Sequence, residues 1–298
     1  MIFIVLCLLY CLIYSVFIIY KEGGKSSVSK VEEVSISKEE KITNKQLRLL
    51  KLAYRFRFIT SKQIAKYFKQ KSLRTAQIQL NTLNERGYLG KRHDGTYKIQ
   101  GRAAEYYLTP KSTPILRKQL AEPSESELKQ SYTRAISSQR FINYSLEVFD
   151  IYLELNRLYG DNQHFFTKPQ LNTEQFGYFP HPLPDAFITI DGDNERHYFV
   201  EYFDDEVSIG IHGRKIAGYM KYKESGEWND TGFDFPTVVI ICQSPAMLKR
   251  AEKRVRYLDR QEFSEISFRL IDLDTLQVLD SANKKAWIDP IEQSKTIL

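Results

Sequence analysis

The spacing of hydrophobic residues changes along the chain, and each spacing predicts a different kind of element. Residues 1–20 form an apolar run without a charged side chain, long enough to span a bilayer as a helix. Residues 42–110 place apolar side chains at helical spacing, whereas residues 186–203 alternate them with a period of two. The pattern therefore predicts a membrane helix, a small helical module and a larger mixed α/β domain, in that order.

The run 1–20 is predicted to be an uncleaved membrane anchor, because it lacks the basic start and the small-residue cleavage site of a signal peptide. Lys21, Lys25 and Lys30 follow it and no basic residue precedes it, which predicts that the rest of the chain is cytoplasmic and anchored to the inner membrane. Residues 21–41, rich in Ser, Lys and Glu, are predicted to be a polar linker. The alternatives are a start codon assigned too far upstream, which leaves a cytoplasmic protein, and a buried helix.

The module 42–110 contains three amphipathic stretches followed by two short apolar runs. The candidate helix caps are Thr43 or Asn44, then Thr60, then Ser72. After the third helix, a turn at residues 93–95 leads into the run Thr96–Ile99, which we interpret as the second strand of a hairpin. Three helices followed by a hairpin is the layout of a winged helix.

The positive charge of the chain is concentrated in this module. The whole sequence has 43 basic and 37 acidic residues, a net charge of +6, whereas residues 42–110 hold 15 basic and 3 acidic residues. Such a concentration indicates a polyanionic partner, either nucleic acid or an anionic lipid surface. The winged-helix layout favours double-stranded DNA.

In a winged helix the third helix enters the major groove and the wing lies along the phosphate backbone. Arg74 and Asn81 project from the predicted third helix and are candidate base-reading residues, with Ser72 at the end that meets base edges. The candidate phosphate contacts on the wing are Lys91, Arg92 and Lys98. A merely solvated charged face and a protein-binding winged helix are the alternatives.

Residues 111–126 are predicted to be a connector, because they are interrupted by prolines and rich in polar residues. The domain 127–298 begins with a long helical stretch and continues with strands that alternate with helices. Two of those strands, 186–190 and 197–203, are joined by a strong hairpin signal at residues 191–194. This order predicts a mixed α/β sheet covered by helices.

Two carboxylates occur in this predicted hairpin. Asp185 opens the first strand, and Glu201 lies in the second strand between Phe199 and Phe203. A carboxylate on a packed sheet is costly unless a cation or hydrogen bonds compensate it. Asp185 and Glu201 are therefore candidate ligands of one Mg²⁺ ion, which would activate water beside a scissile phosphate.

Several motifs resemble the replication-relaxation family of plasmid and mobile-element proteins over about Lys45–Ile271. They are Tyr106-Tyr107-Leu108-Thr109-Pro110, Leu183-Pro184-Asp185-Ala186-Phe187, Phe199-Val200-Glu201, Arg214-Lys215 and Tyr219 to Tyr222. The resemblance implies a winged helix followed by a domain similar to the PD-(D/E)xK nuclease core, with Asp185 and Glu201 as its acids. The nuclease pattern usually keeps a lysine two residues after its second acid, where this chain has Phe203. The resemblance offers Lys215, on the following helix, as the substitute catalytic lysine.

The three cysteines and five histidines have no metal-ligand spacing, and no glycine-rich phosphate loop is present, which argues against a zinc site, a disulfide framework and a nucleotide-driven enzyme. The leading hypothesis is a membrane-tethered, DNA-binding replication-relaxation protein that nicks DNA with Mg²⁺. The alternative is a non-catalytic, membrane-tethered regulator or partition adaptor in which the acids are structural. A third hypothesis is that the basic module binds anionic lipid.

Overall fold

The computed structural model describes residues 42–93, 95–121, 123–191, 196–262, 265–280 and 285–298. The predicted anchor 1–20 and linker 21–41 lie outside these residues. Within the described residues, no helix combines the length and the apolar character needed to cross a bilayer.

The amino-terminal part forms three helices and a small antiparallel sheet. Its elements are α1 (Asn44–Phe56), β1 (Phe58–Thr60), α2 (Ser61–Tyr67), α3 (Leu73–Glu85), β2 (Leu89–Arg92), α4 (Gly95–Ile99) and β3 (Glu105–Leu108). Capping boxes at Thr43 and Thr60 begin α1 and α2, and the Ser72 hydroxyl caps α3. The strands lie in the order β1-β3-β2, which is the winged-helix arrangement.

The predicted second wing strand is wrong. Residues Thr96–Ile99 belong to helix α4, and the partner of β2 is β3, with Leu89 opposite Leu108 and Arg92 opposite Glu105. Helix α4 buries Tyr97, whose hydroxyl donates to Glu105 Oε2 at 2.9 Å, while Ile99 is 87% exposed. Strand β3 is mostly buried and pairs with β1 as well as β2. It therefore forms the wing strand that was predicted for Thr96–Ile99.

The predicted connector 111–126 is largely helical. Its elements and those that follow are a 3₁₀ turn (Pro110–Ser112), α5 (Thr113–Gln119), α6 (Glu125–Gln130) and a second 3₁₀ segment (Ser131–Ile136). Leu116 and Leu128 are fully buried in the main core. This segment is therefore packed against the rest of the protein and is not an extended linker between two domains.

The remaining chain forms a mixed α/β domain, as predicted. Its helices are α7 (Gln139–Tyr159), α8 (Lys168–Leu171), α9 (Ile209–Ser225), α10 (Pro245–Glu262) and α11 (Leu273–Val278). Its strands are β4 (Gln163–Thr167), β5 (Ala186–Ile190), β6 (Arg196–Phe203), β7 (Thr237–Cys242), β8 (Phe268–Asp272), β9 (Trp287–Asp289) and β10 (Ser294–Thr296). The sheet order is β10-β9-β8-β7-β6-β5-β4, with β6, β7 and β8 mutually parallel and the outer strands antiparallel.

The period-two pattern of β6 separates two hydrophobic cores. Phe199 and Phe203 pack with α9 and α10 on one face, whereas Tyr198 and Val200 pack on the other face with α7. The core on the α7 side continues into the winged helix, where the rings of Phe56 and Phe149 stack with centroids 4.1 Å apart. Glu201 shares the face of Phe199, which places it beneath α9.

Polar contacts also join the winged helix to the sheet domain. Arg55 Nη2 donates to the carbonyl oxygen of Phe165 at 2.6 Å, and the Tyr54 hydroxyl donates to that of Pro169 at 3.0 Å. Further contacts join α2 to α7 and the end of α1 to α6: Gln63 to the Leu146 carbonyl, Lys66 to Glu154, and Arg57 to Glu127. The two parts are thus packed together.

Candidate functional site

Helix α3 has a buried face and an exposed face of different chemistry. Ala76, Leu80 and Leu83 are fully buried. The exposed side chains are Leu73, Arg74, Thr75, Gln77 and Ile78, and the only acidic residue of the helix is its last, Glu85. Arginine, threonine, glutamine and apolar side chains are the types that contact base edges in the major groove.

The two predicted base-reading residues differ in their surroundings. The Arg74 side chain is exposed, and its guanidinium makes no hydrogen bond or ion pair with another residue that the structure describes. Asn81 is half-buried, and its Oδ1 accepts hydrogen bonds from the Tyr106 hydroxyl at 2.8 Å and from Lys91 Nζ at 3.2 Å. Asn81 therefore connects α3 to the sheet, whereas Arg74 is available to a ligand. Ser72 is exposed, and its hydroxyl accepts from the Arg74 amide at 3.2 Å.

The predicted wing contacts are not equivalent either. Lys91 is exposed, and its ammonium lies 5.7 Å from the centre of the Tyr106 ring. Arg92 points back into the protein, where Nη1 donates to the carbonyl oxygens of Ala135 at 3.1 Å and Ser137 at 2.6 Å. Arg92 thus ties the wing to the segment before α7, and its predicted role as a phosphate contact stays a prediction. Lys98 lies on α4 rather than on a wing strand.

Asp185 and Glu201 come together with Lys215, as the sequence predicts for a paired-acid site. Lys215 Nζ on α9 lies 2.5 Å from Glu201 Oε2 and 3.6 Å from Asp185 Oδ2. Both carboxylates are buried, with 3% of Asp185 and 2% of Glu201 exposed. Phe203, where the nuclease pattern has its lysine, is fully buried and stacks on His212 with ring centroids 4.0 Å apart. Lys215 on α9 therefore places an ammonium group beside Glu201, although strand β6 has Phe203 at the lysine position of the nuclease pattern.

Three further side chains complete the cluster. Lys168, the first residue after β4, donates to Asp185 Oδ1 at 2.5 Å. The Tyr144 hydroxyl on α7 donates to Asp185 Oδ2, which also accepts from the Tyr202 amide at 2.9 Å. Tyr219, one turn after Lys215, donates to Glu201 Oε1 at 2.7 Å. All four carboxylate oxygens are therefore hydrogen-bonded.

Burial and the charges of this cluster together shift the pKa values of its two acids in opposite directions. Burial alone would raise the pKa of Asp185, but Lys168 and Lys215 outweigh burial and hold that pKa below its usual range. Burial raises the pKa of Glu201, and the Asp185 charge adds to this while Lys215 opposes it. Burial also lowers the pKa of Lys215, but the two carboxylates more than reverse this and raise it. Asp185 is thus the carboxylate more strongly held in its charged form.

A cavity of about 340 Å³ lies beside the cluster, between the end of α1 and helix α7. Asp185, Lys168 and Tyr144 line one side of it, and Arg55 and Arg57 line another. The cluster therefore borders a space at the junction of the winged helix and the sheet domain.

The donor set does not fit the predicted Mg²⁺ ion in this arrangement. Mg²⁺ is bound by one or two carboxylates and keeps several waters in an octahedral shell. Here both carboxylates are almost fully buried, and the Lys168 and Lys215 ammonium groups already balance their charge. Among the described residues, no group of three or more His, Cys, Asp or Glu side chains is placed to hold a metal.

Sequence reasoning missed Lys168 and Tyr144. Lys168 lies 17 residues before Asp185, and Tyr144 lies 41 residues before it, with no spacing that connects them to the hairpin. Tyr219 belongs to one of the motifs that carry the family resemblance, but its contact with Glu201 follows only from the packing of α9 on β6.

These observations define a class of two-part protein, a winged helix docked on a mixed α/β sheet, with buried, lysine-paired carboxylates directly before β5 and within β6. The family model described as replication-relaxation matches residues 50–238, a span that includes α3 and the whole cluster. The chain therefore belongs to the replication-relaxation family, which suggests a role in the replication or relaxation of plasmids or mobile elements. No curated protein and no solved structure matches the chain significantly.

Proposed function

We propose that this protein binds double-stranded DNA through the exposed face of α3 and acts in the replication or relaxation of plasmid or mobile-element DNA. The observation that carries the proposal is this face itself. It presents Arg74, Thr75 and Gln77 on a helix that has no acidic residue before Glu85, and the Arg74 guanidinium has no partner among the described residues. Arginine binds guanine through two hydrogen bonds, and glutamine binds adenine in the same way.

The charge around α3 supports the same proposal. Lys69 and Lys71 are exposed in the turn that leads into the helix, and Lys91 is exposed on the neighbouring strand β2. Exposed cations close to a recognition helix suit contacts with the phosphate backbone that borders a major groove. Such contacts fix the position of a protein on DNA, while the α3 side chains would select the sequence.

The test is the salt dependence of DNA binding by the full-length protein. Fluorescence anisotropy with a labelled duplex of mixed sequence should give an affinity that falls steeply with salt, because each neutralised phosphate releases a counterion. Arg74→Ala should weaken binding, whereas Arg260→Ala, an exposed arginine on α10, serves as the charge-matched control. Binding that is absent or insensitive to salt would contradict the proposal, and competition by anionic vesicles would favour the lipid hypothesis.

Metal-dependent nicking is the second candidate function, and it would require Asp185 and Glu201 to exchange their lysine partners for a metal ion. The observation in its favour is that Lys215 reaches both Asp185 and Glu201, so the three side chains of the nuclease pattern converge. Incubation of supercoiled plasmid with the protein and Mg²⁺ tests it, with Asp185→Ala and Glu201→Ala as the matched variants. Relaxed or linear DNA that requires both acids would support an enzyme. Unchanged topology would support the non-catalytic regulator or partition adaptor.

Attachment to the inner face of the membrane through residues 1–20 stays a prediction from the sequence. Membrane fractionation of cells that express the full chain, compared with a chain that starts after Tyr20, tests it directly. Loss of the protein from the membrane fraction on truncation is the expected result, and equal distribution of the two chains would contradict it.

A further inference from the structure

We infer that Lys168 and Lys215 take the place of a divalent cation at the Asp185–Glu201 pair and keep Mg²⁺ out of the sheet domain. The inference concerns the cluster alone and does not depend on DNA binding by α3. It is an alternative to the second candidate function, for which the same carboxylates would have to accept a metal ion.

The charges of the cluster are balanced without a metal ion. Two buried carboxylates face two ammonium groups, one from the residue after β4 and one from α9. Burying a charge pair is tolerated when the geometry satisfies both partners, and here every carboxylate oxygen accepts at least one hydrogen bond. A divalent ion would add two positive charges to a site that is already neutral.

Lys168 and Lys215 approach different oxygens of Asp185. Lys168 holds Oδ1, and Lys215 lies 3.6 Å from Oδ2. Lys215 also holds Oε2 of Glu201, so a metal bridging the two acids would need the position of the Lys215 ammonium group. Nothing in the sequence pattern of the hairpin requires a second lysine, yet the fold places one at the carboxylate that the nuclease pattern would use.

The cavity beside Asp185 makes the role of Lys168 testable. Lys168 and Asp185 both line this space of about 340 Å³. A water molecule occupies about 30 Å³ of liquid volume, so the cavity has room for the waters that a divalent ion retains. Replacing Lys168 with an uncharged side chain should leave Asp185 Oδ1 facing that space with an uncompensated negative charge.

The experiment is Mn²⁺ titration of the full-length protein, with free Mn²⁺ measured by its electron paramagnetic resonance signal. Wild type should bind no Mn²⁺ beyond the amount bound by Asp185→Asn, which reports unrelated surface sites. Lys168→Met should gain one Mn²⁺ site per chain, with an affinity at least tenfold higher than that of the surface sites measured in Asp185→Asn. Lys168→Met combined with Asp185→Asn should lose this site. Lys221→Met, an exposed lysine on the same helix as Lys215, should behave as wild type.

Two results would overturn the inference: a wild-type Mn²⁺ site that Asp185→Asn abolishes, or a folded Lys168→Met protein without a new site. If Lys168→Met does not fold, its circular dichroism spectrum and any thermal transition that appears on addition of Mn²⁺ decide the question. Refolding or stabilisation by the ion supports the inference, and no response to the ion contradicts it. DNA affinity measured on the same variants should stay unchanged, which separates failure at this cluster from failure of DNA binding.

Discussion

Lys215 Nζ, on the helix that follows β6, donates to Glu201 Oε2 at 2.5 Å. It supplies the cation that Phe203, at the lysine position of the nuclease pattern, does not supply. Removing either carboxylate would leave the partly buried lysines with one carboxylate fewer to balance their charge, and breaking a buried ion pair in this way typically costs about 3–5 kcal/mol. We therefore expect Asp185→Ala and Glu201→Ala each to lower the free energy of unfolding by about that amount in urea titrations. Glu201→Gln, which keeps an acceptor for Tyr219, should cost less. A loss below about 1 kcal/mol for both alanine variants would contradict this account of the cluster.

Arg74 tests the DNA interface. If it contacts a guanine, Arg74→Ala should cost about 1–3 kcal/mol of binding free energy and relax the sequence preference at one position. Its thermal stability should not change, because the side chain is exposed. The measurement is anisotropy against a set of duplexes that contains the preferred site. Equal losses for Arg74→Ala and for the control Arg260→Ala would show that only net charge matters.

Lys91 and Arg92 are adjacent in the sequence, but their replacement by alanine should affect different properties, DNA binding for Lys91 and stability for Arg92. Arg92→Ala removes two hydrogen bonds to the carbonyl oxygens of Ala135 and Ser137 and should lower stability by about 1–3 kcal/mol. Lys91→Ala should change stability by no more than about 0.5 kcal/mol, because the side chain is exposed, yet it should weaken DNA binding. Thermal unfolding and anisotropy on both variants provide the comparison. A stable Arg92→Ala protein would contradict the internal role of this side chain.

Glu147 on α7 predicts a pH dependence of stability. Burial and the nearby Asp150 raise its pKa to about 7 in the folded protein, against the opposing effect of Lys62. Between about pH 4.3, the usual pKa of a glutamate, and pH 7 the folded protein therefore binds a proton that the unfolded chain does not. This group favours folding at the lower end of that range, and its contribution is lost as the pH rises through 7.

Glu147→Gln should accordingly flatten the stability profile in this range and raise the stability above pH 7. Urea unfolding at a series of pH values measures the effect, with the exposed Glu85→Gln as control. Asp185 contributes with the opposite sign, because its pKa is lowered in the folded state. The stability that it provides is lost as the pH falls below about 4. An unchanged profile in Glu147→Gln would contradict the assignment.

Much of the sheet domain could be predicted because its buried strands carry their own signal. The strand at residues 186–190 and the apolar strand at 237–242 have the bounds that their patterns indicate. The caps at Thr43, Thr60 and Ser72 likewise begin the three helices of the winged helix. In these places a local feature, either capping or side-chain period, agrees with the tertiary environment.

The rest depends on contacts between distant segments. The apolar run at residues 106–108 is visible in the sequence, but its place as the partner of both β1 and β2 is decided by strand pairing, which a local pattern does not encode. Lys168 was missed because the antiparallel pairing of β4 with β5 brings the end of one strand to the start of the other. Arg92 looks like an exposed cation in sequence, and only the segment 131–136 packed beside the wing shows where it points.

The docking of α1 on the β4–α8 junction has a geometric consequence for any DNA that the protein holds. Arg55 and Tyr54 bind backbone carbonyls of that junction, and Phe56 stacks in the shared core. A duplex bound to α3 would therefore have a fixed orientation relative to the sheet, because these contacts hold the winged helix against the sheet domain. Any change in the path or winding of that duplex would have to be absorbed by the DNA itself.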